Sequence, residues 1–415
     1  MSIENTDITE RRLLDAALVA FIQNGFVRTN VEDITGKAGV ARSTFYIYFQ
    51  NKNDILSHLV QGILKKIDLM WEERALKRWL NIKDLENFET PLVEYVRLLE
   101  ESSGVFKALV EGMFQDKQLL SLFKNLFSII AAPFSRKIEN LQKKGFHAMS
   151  NSMLIAQLMA ITIIFPFLLQ ASGVISFSSE SLARTIAYIL FSVLNYSDNG
   201  KQSLKDTEAF NTISDKTRYN LILSAQEEFD TYGYFDAKVG RIAKRAGYNR
   251  STFYRYFKDK EELIQQMTKE VFSSLIVSSP GPDAILSSNH SDDLDSLVRV
   301  NLSVLALFQK NFPIQRAFIQ GTFTSDRLKS HYKNLMDNLG QVIRVEIFEI
   351  LKKNEITGYD PLVLTHILQV ITSFSYMLYL EGIIQSSEHE FATNLGIFLY
   401  HLFNFNPLRP SILVD

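Results

Sequence analysis

The sequence lacks cysteine altogether, and this absence excludes disulfide bonds, thiolate catalysis and zinc sites with cysteine ligands. An excess of positive charge is also missing, because 44 lysine and arginine residues face 46 aspartate and glutamate residues, giving a formal net charge of −2. Any attraction to nucleic acid must therefore come from a local patch of basic residues. Residues 1–10 are polar and acidic and contain no apolar signal core, so we expect a cytoplasmic protein.

Sequence motifs that mark enzymes are absent too. The chain has no Gly-x-Gly-x-x-Gly or Walker A phosphate loop, no His-Glu-x-x-His and no nucleophile elbow. The seven histidines are scattered, and His389, which lies between two acids, falls at a predicted helix start, where a solvated cap is the simpler interpretation. We therefore expect no catalytic residue, no cofactor and no metal site, and an enzyme remains only as a rival class.

Strand signals are scarce, because alternating apolar and polar runs joined by hairpin turns are few. Helical periodicity dominates instead, so the sequence predicts an all-α fold. The most apolar run, Met153 to Leu169, is long enough for a membrane span, but Gln157 and Thr162 interrupt it. We interpret this run as a buried helix.

One segment of the chain occurs twice. Residues 42–49 read Arg-Ser-Thr-Phe-Tyr-Ile-Tyr-Phe, and residues 250–257 read Arg-Ser-Thr-Phe-Tyr-Arg-Tyr-Phe, 208 positions later in a chain of 415. The match continues upstream in register through the pairs Leu13/Leu221, Ala17/Ala225, Phe21/Phe229, Gly25/Gly233, Val31/Val239, Ile34/Ile242, Ala38/Ala246 and Gly39/Gly247. A repeat of this length indicates a duplicated domain rather than a solenoid.

Three short helices are predicted in each copy. In the first copy, one helix is capped at Thr9 and closed by Gly25, the second covers residues 31–38 and the third covers residues 42–49. The turn between the second and third helices contains a glycine, Gly39 or Gly247, which can adopt the positive φ of a tight turn. This arrangement is typical of a helix-turn-helix. We call residues 13–49 the first head and residues 221–257 the second head.

The third helix of each head carries the candidate DNA contacts. Packing of Ile34 on Phe45 leaves Arg42 and its polar neighbours on the exposed side, where arginine can bind guanine edges and hydroxyls can hold phosphates. Lys52 and Lys260, at the start of the next helix, are expected to neutralise backbone phosphate. The candidate set is Arg42, Ser43, Thr44, Tyr46, Tyr48 and Lys52, with Lys238, Asn249, Arg250, Ser251, Thr252, Tyr254, Arg255, Tyr256 and Lys260 in the second copy.

These motifs resemble the TetR family of transcriptional regulators over about 50 residues in each half. The resemblance implies base contacts by Arg42 and Arg250, and groove or phosphate contacts by the threonine, tyrosines and lysine that follow each arginine. It also implies a helical ligand-binding and dimerisation domain after each head, in which the last two helices pair with those of a partner unit. Phe45, Phe49, Phe253 and Phe257 are expected in the core, and partial burial of Tyr46 and Tyr254 stays open.

The two heads differ in charge. Residues 30–52 carry a net charge of +1, whereas residues 238–260 carry +7. Asn249 is a good N-cap for its helix, and the aligned Ala41 is not, a difference of ~1 kcal/mol. We hypothesise that the second head supplies most of the phosphate affinity and that the first binds a different or weaker half-site. Alternatively, the additional charges lie on a solvated face away from DNA.

The expected organisation is two tandem units. They comprise a DNA-binding domain at 1–50, a helical regulatory and dimerisation domain at 51–197, a polar linker at 198–213, a second DNA-binding domain at 214–258 and a second helical domain at 259–415. If the halves pair within one chain, residues 150–196 should pack against residues 360–403, and the DNA target should be an imperfect or asymmetric inverted repeat.

The function expected from this organisation is a ligand-responsive DNA-binding repressor in which the fused units form a pseudo-dimer on a double-stranded operator. By resemblance, a small effector binds in the helical domains, and their abundant aromatic side chains suggest an apolar or aromatic effector, with core packing as the competing interpretation. Two alternatives stay open: a homodimer of tandem chains with four heads, and an adaptor whose first head no longer binds DNA.

Overall fold

The structure is a computed structural model and describes residues 3–70, 78–144, 150–195, 216–278, 294–353, 356 and 359–404. These residues form α-helices joined by short connections, and no strand occurs among them, so the all-α prediction is confirmed. The predicted linker, residues 198–213, lies outside the described residues.

The first half of the chain contains nine helices in its described part. Their bounds are α1 Ile3–Asn24, α2 Val31–Ala38, α3 Arg42–Tyr48, α4 Lys52–Met70, α5 Leu85–Glu101, α6 Ser103–Met113, α7 Lys117–Gln142, α8 Ser152–Ala171 and α9 Ser179–Asn195. Helix α1 begins six residues before Thr9, so the prediction that Thr9 caps this helix is wrong: helical geometry continues through that position.

The second half has nine corresponding helices among its described residues. They are α10 Lys216–Asp236, α11 Val239–Arg245, α12 Arg250–Tyr256, α13 Lys260–Ser278, α14 Leu294–Lys310, α15 Phe312–Thr322, α16 Asp326–Lys353, α17 Pro361–Leu380 and α18 Glu388–Asn404. Non-helical backbone at Gly233 interrupts α10 at the position aligned with Gly25.

The duplication extends through the whole chain. Helices α2 to α4 start at residues 31, 42 and 52, and their counterparts start 208 positions later, at 239, 250 and 260. Helices α5 to α9 start at 85, 103, 117, 152 and 179, and their counterparts start 209 positions later, at 294, 312, 326, 361 and 388. The helical domains are therefore also duplicated, although their sequences have diverged.

The chain forms two compact units that do not coincide with its halves. One contains Met1–Ile130 and Phe167–Gly173, and the other contains Ala131–Pro166 and Val174–Asp415. The second unit thus combines the second half of the chain with the C-terminal part of α7, most of α8 and all of α9 from the first half.

In the first unit, helix α6 supports the connection between α1 and α2. The Phe26 backbone N–H donates a hydrogen bond to Glu111 Oε2 at 2.7 Å. A Cβ atom at Gly112 would lie 3.0 Å from the Phe26 ring, so the absence of a side chain there permits this close approach.

Helix α15 repeats this arrangement in the second unit. The Tyr234 N–H donates to Gln320 Oε1 at 2.7 Å, and Gly321 faces the Tyr234 ring as Gly112 faces Phe26. An acid in one half is therefore replaced by its neutral isostere in the other, with the same hydrogen bond.

Helices from both halves meet within the second unit. The rings of Phe165 on α8 and Phe374 on α17 stack with their centroids 4.0 Å apart. The Asn151 backbone N–H donates to Asn394 Oδ1, and the Asn151 side chain donates to Glu390 Oε1, both at 2.7 Å. These contacts join residues more than 200 positions apart in the sequence.

Two helices in the described part of the chain, α8 and α17, are long and apolar enough to cross a membrane. Within the protein, 83% and 78% of their most apolar windows are buried. The run from Met153 to Leu169 accordingly forms a mostly buried core helix, as the sequence predicted.

Candidate nucleic-acid interface

The same aromatic core holds the turn and the third helix in each head. Phe45 and Phe49 are 0% and 2% exposed, and Phe253 and Phe257 are 0% and 1% exposed, so their predicted core positions are confirmed. Packing of these rings fixes which face of α3 and α12 remains available to DNA.

The turn before each third helix contains the predicted glycine in a left-handed conformation. Gly39 has φ 62° and Gly247 has φ 80°. Side chains other than glycine are strained in this region, so glycine favours the short connection that brings the second and third helices together.

The exposed face of the third helix carries most of the predicted contacts. The sequence left open whether Tyr46 and Tyr254 are partly buried. Both are exposed, at 50% and 55%. The other exposed candidates are Arg42, Ser43, Arg250, Ser251 and Arg255, whereas Thr44, Tyr48 and Tyr256 are half-buried. This face places hydroxyl, phenol and guanidinium donors along one short helix, a set suited to phosphates and base edges.

Helix capping differs between the heads as the sequence predicted. The Asn249 side chain accepts a hydrogen bond from the Thr252 N–H at 2.9 Å, whereas Ala41 provides no side-chain cap. The Thr252 hydroxyl also donates to Asn249 Oδ1 at 3.0 Å, and Thr252 is only 8% exposed. Asn249 and Thr252 therefore build the helix start, and Thr252 is not displayed at the surface as the predicted DNA contact requires.

Lys52 and Lys260 point inward, unlike the phosphate-facing arrangement expected from the sequence. Lys52 Nζ donates to the carbonyl oxygens of Phe26, Val27 and Thr29 at 3.0–3.1 Å. Since an ammonium group has three donor protons, these three carbonyls use all of them.

The lysine of the second head makes the same set of bonds. Lys260 Nζ donates to the carbonyls of Tyr234, Phe235 and Ala237 at 2.6, 3.3 and 3.4 Å. Burial lowers the pKa of Lys260, although nearby acids oppose this shift. Lys52 therefore ties α4 to the connection between α1 and α2, and Lys260 ties α13 to the segment that follows the break at Gly233.

The two third-helix arginines have different surroundings. Arg42 forms an ion pair with Glu32 on α2, and its guanidinium donates to the Tyr46 hydroxyl at 3.3 Å. Arg250 forms no ion pair or hydrogen bond with any described residue, and its guanidinium lies against Gly240, the residue aligned with Glu32.

In the part of the chain that the structure describes, no group of three or more histidine, aspartate or glutamate side chains could hold a metal ion.

Comparison with known proteins identifies the heads. Residues 13–59 and residues 221–267 each match the family described as bacterial regulatory proteins, tetR family. These two matches fall on the two heads, in the same register as the repeat.

Individual relatives agree with the family match. The uncharacterized HTH-type transcriptional regulator YdgC of Bacillus subtilis (strain 168) is 28% identical over 139 residues, covering 33% of this chain and 68% of that protein. The HTH-type transcriptional regulator UidR of Escherichia coli (strain K12) is 28% identical over 142 residues, with the same coverages. Among solved structures, the fatty acid degradation regulator FadR from Bacillus halodurans aligns with a TM-score of 0.36 and 17% identity over 44% of this chain and 94% of that chain.

This chain carries two domains of the TetR family. It is a tandem duplication of the TetR-type unit, and both copies carry the helix-turn-helix DNA-binding domain of transcriptional regulators.

The second TetR-type head is less basic at its surface than its sequence suggests. Glu228 on α10 is 0% exposed and accepts hydrogen bonds from Arg241 at 2.7 Å and Arg245 at 3.3 Å. Its Oε1 also accepts from the Lys238 backbone N–H at 2.9 Å. Two of the eight basic residues counted in residues 238–260 are therefore ion-paired with one buried acid, which offsets one positive charge.

Six of the eight basic residues in 238–260 are exposed: Arg245, which is ion-paired, and Lys238, Lys244, Arg250, Arg255 and Lys258. Lys244 was not among the predicted contacts, although its place in the basic cluster of α11 is visible in the sequence. The neutralising role of Glu228 was missed because it precedes the window used for counting charge. Alignment of Glu228 with Ala20 in the first head is the signal that could have revealed it.

Proposed function

We propose that this chain is a covalent pseudo-dimer, in which one polypeptide supplies both heads for a single operator and represses transcription from it. The TetR-type heads bind DNA, and in oligomeric regulators two such heads normally come from two subunits. In this proposal the helical domains of the two halves, residues 51–197 and 259–415, pair with each other instead. We propose repression rather than activation, and a cytoplasmic location, because both are usual for regulators of the TetR family.

The stacking of Phe165 on Phe374 is the main support for this proposal. The two residues occupy equivalent positions, because α8 and α17 start at residues 152 and 361 and each phenylalanine is the fourteenth residue of its helix. Both side chains are almost fully buried, at 0% and 1% exposure. In an interface with two-fold symmetry, a residue on the axis meets its own copy, and this contact has that form.

A pair of open clefts in the second unit gives independent support. One cleft is lined by Ser178, Glu180, Ser181, Arg184, Thr185, Tyr359 and Asp360. The other is lined by Ser387, His389, Glu390, Thr393, Asn394, Ser150 and Asn151. Taken in that order, every residue of the first cleft aligns with one of the second at an offset of 209 residues. Such clefts are expected where two related surfaces pack about a pseudo-two-fold axis.

Molar mass in solution tests the pseudo-dimer. Light scattering should give a mass near 47.6 kDa for the protein alone, and one chain per DNA in a stoichiometric complex with selected operator DNA. Twice that mass, with two chains per operator, would contradict the proposal and favour a homodimer with four heads.

We further propose that the second half binds an apolar or aromatic effector. Helices α13 to α17 enclose a small cavity lined by Phe272, Phe308, Phe312, Gln315, Phe318, Ile319, Tyr332, Ser373 and Met377. Tyr332 Oη and Gln315 Nε2 are buried there without a hydrogen-bond partner among the described residues. Buried polar atoms normally have partners, so these two favour a ligand that carries a hydrogen-bond acceptor.

The first half differs at these positions. Phe106 and Phe123 stand where the second half has Gln315 and Tyr332, and Ile164 stands where it has Ser373. All three are buried apolar residues of the core. The side chains that can donate a hydrogen bond to such a ligand, Gln315 and Tyr332, therefore lie in the second half. We expect one ligand molecule to bind per chain.

Titration with phenol, a small aromatic molecule whose hydroxyl oxygen can accept a hydrogen bond, monitored by isothermal titration calorimetry, tests the effector site. The wild type should bind one molecule per chain, and Ser373→Ile, which introduces the first half's residue, should abolish this binding. Tyr332→Phe removes only the hydroxyl donor and should weaken binding by roughly tenfold. Equal binding by all three proteins would contradict the proposed site.

A further inference from the structure

Position 32 of the first head and position 240 of the second head are equivalent, yet one is glutamate and the other glycine. Both are the second residue of the helix that precedes the turn, α2 or α11. The third-helix residues beside them, Arg42 and Arg250, are identical, so the two heads present the same arginine in two chemical environments.

The surroundings of Arg42 restrain it. Its guanidinium is ion-paired with the Glu32 carboxylate, donates to the Tyr46 hydroxyl at 3.3 Å and lies 5.9 Å from the centre of the Tyr46 ring. These contacts occupy donors that a bidentate contact with guanine would require. The pair is exposed, at 60% for Arg42 and 53% for Glu32, so breaking it costs little energy, but its carboxylate stays beside the third helix.

Arg250 has no such restraint among the described residues. A Cβ atom at Gly240 would lie 2.6 Å from Arg250 Nε, so the guanidinium rests in the space that a side chain at position 240 would occupy. Tyr254, the counterpart of Tyr46, is 55% exposed and makes no hydrogen bond to Arg250. All five guanidinium donors of Arg250 are therefore available to DNA.

A carboxylate beside the DNA surface also changes what a head can recognise. It repels phosphate, and it can accept a hydrogen bond from the cytosine amino group, which guanine-binding arginine cannot do. We propose that the Glu32/Gly240 difference makes the two half-sites unequal: Arg250 selects guanine in the half-site of the second head, whereas Glu32 suppresses this preference in the half-site of the first head. This inference rests on the proposed binding of both heads to one operator.

The experiment begins with selection of DNA from a random library by the full-length wild-type protein. Affinities are then measured for the selected operator and for versions with a single base pair replaced in either half-site. Four variants are compared: Glu32→Gln, Gly240→Glu, and the matched controls Gly240→Gln and Glu32→Ala. Glutamine has the size of glutamate without its charge, so the Gly240→Gln control separates charge from bulk. The atoms that a new side chain at 240 would meet belong to the flexible end of Arg250, so the fold should tolerate it.

Glu32→Gln and Glu32→Ala should raise the preference for guanine in one half-site by roughly 5- to 100-fold and leave the other half-site unchanged. Gly240→Glu should lower the guanine preference of the other half-site by a similar factor, and Gly240→Gln should lower it much less. One outcome would refute the role of Glu32 and Gly240 without refuting DNA binding. In that outcome the wild type selects an operator, but Glu32→Gln and Gly240→Glu have the same base preferences as the wild type in both half-sites. If the wild type enriches no sequence, the proposed function and this inference fall together.

Discussion

Replacement of Glu111 by glutamine should remove a pH-dependent part of the stability of the first unit. Glu111 is 1% exposed on α6, and its Oε2 accepts the Phe26 N–H at 2.7 Å. Burial raises the pKa of this carboxyl from its ordinary value of 4.5 to about 7, although Lys107, Arg28 and the N–H groups of Phe26 and Val27 oppose the shift. The second half shows that glutamine fits, because Gln320 accepts the equivalent bond from Tyr234.

The sign of the effect follows from proton binding. Between pH 4.5 and 7 the folded protein keeps a proton on Glu111 that the unfolded chain has released. Stability from this group is therefore complete below pH 4.5 and is lost as the pH rises through 7. Between pH 5 and pH 8 the loss amounts to about 2.5 kcal/mol at 1.36 kcal/mol per pKa unit. Glu111→Gln has no proton to release, so its stability should not contain this slope.

Urea unfolding at pH 5, 6, 7 and 8, followed by tryptophan fluorescence, measures the difference. The chain has two tryptophans, Trp71 and Trp79, and both fall in the sequence of the first unit, so the signal reports that unit. Groups that titrate in both proteins cancel in the comparison. Gln320→Glu is the matched control. It adds an equivalent acid to the second unit, which contains no tryptophan, so the pH dependence detected by fluorescence should be the same as in the wild type. Parallel pH profiles for wild type and Glu111→Gln would refute the reasoning.

Two further predictions concern the heads. Asn249→Ala removes the cap of α12 and should lower stability by ~1 kcal/mol, whereas Ala41→Asn supplies a missing cap to α3 and should raise it by a similar amount, both measured by thermal unfolding. Lys260→Met should lower the free energy of unfolding by about 2 kcal/mol, because three charge-assisted hydrogen bonds are lost, without changing the salt dependence of DNA binding. Arg255→Ala should leave the free energy of unfolding nearly unchanged and reduce the slope of log affinity against log salt by about 0.9. Equal slopes for these two variants would show that Lys260 does contact phosphate.

The helix-turn-helix of each head could be predicted from the sequence because it depends on local chemistry. Glycine at position 39 or 247, the buried aromatic pair four residues apart and the asparagine cap at 249 each act within a few residues of one another. Repetition of these features at a fixed offset made the duplication visible without any knowledge of the tertiary structure.

The duplicated helical domains could be predicted only in outline. Helices α5 to α9 and α14 to α18 correspond one to one in the structure, yet their sequences have diverged, since many apolar residues satisfy the same core. The sequence predicted an apolar contact between residues 150–196 and residues 360–403, but it could not indicate that Phe165 would meet its own counterpart Phe374, because apolar surfaces carry little pairing information.

The sequence by itself determined the fold class, the two heads and their recognition helices, because periodicity, turn glycines and caps depend on residues that are close together in the sequence. The tertiary structure decided the roles of the charged side chains. Lys52 reaches carbonyls more than 20 residues away, Glu228 pairs with two arginines from inside the core, and Glu32 holds Arg42 where Gly240 leaves Arg250 unrestrained. Long charged side chains choose partners by distance in space, and only the folded chain sets that distance.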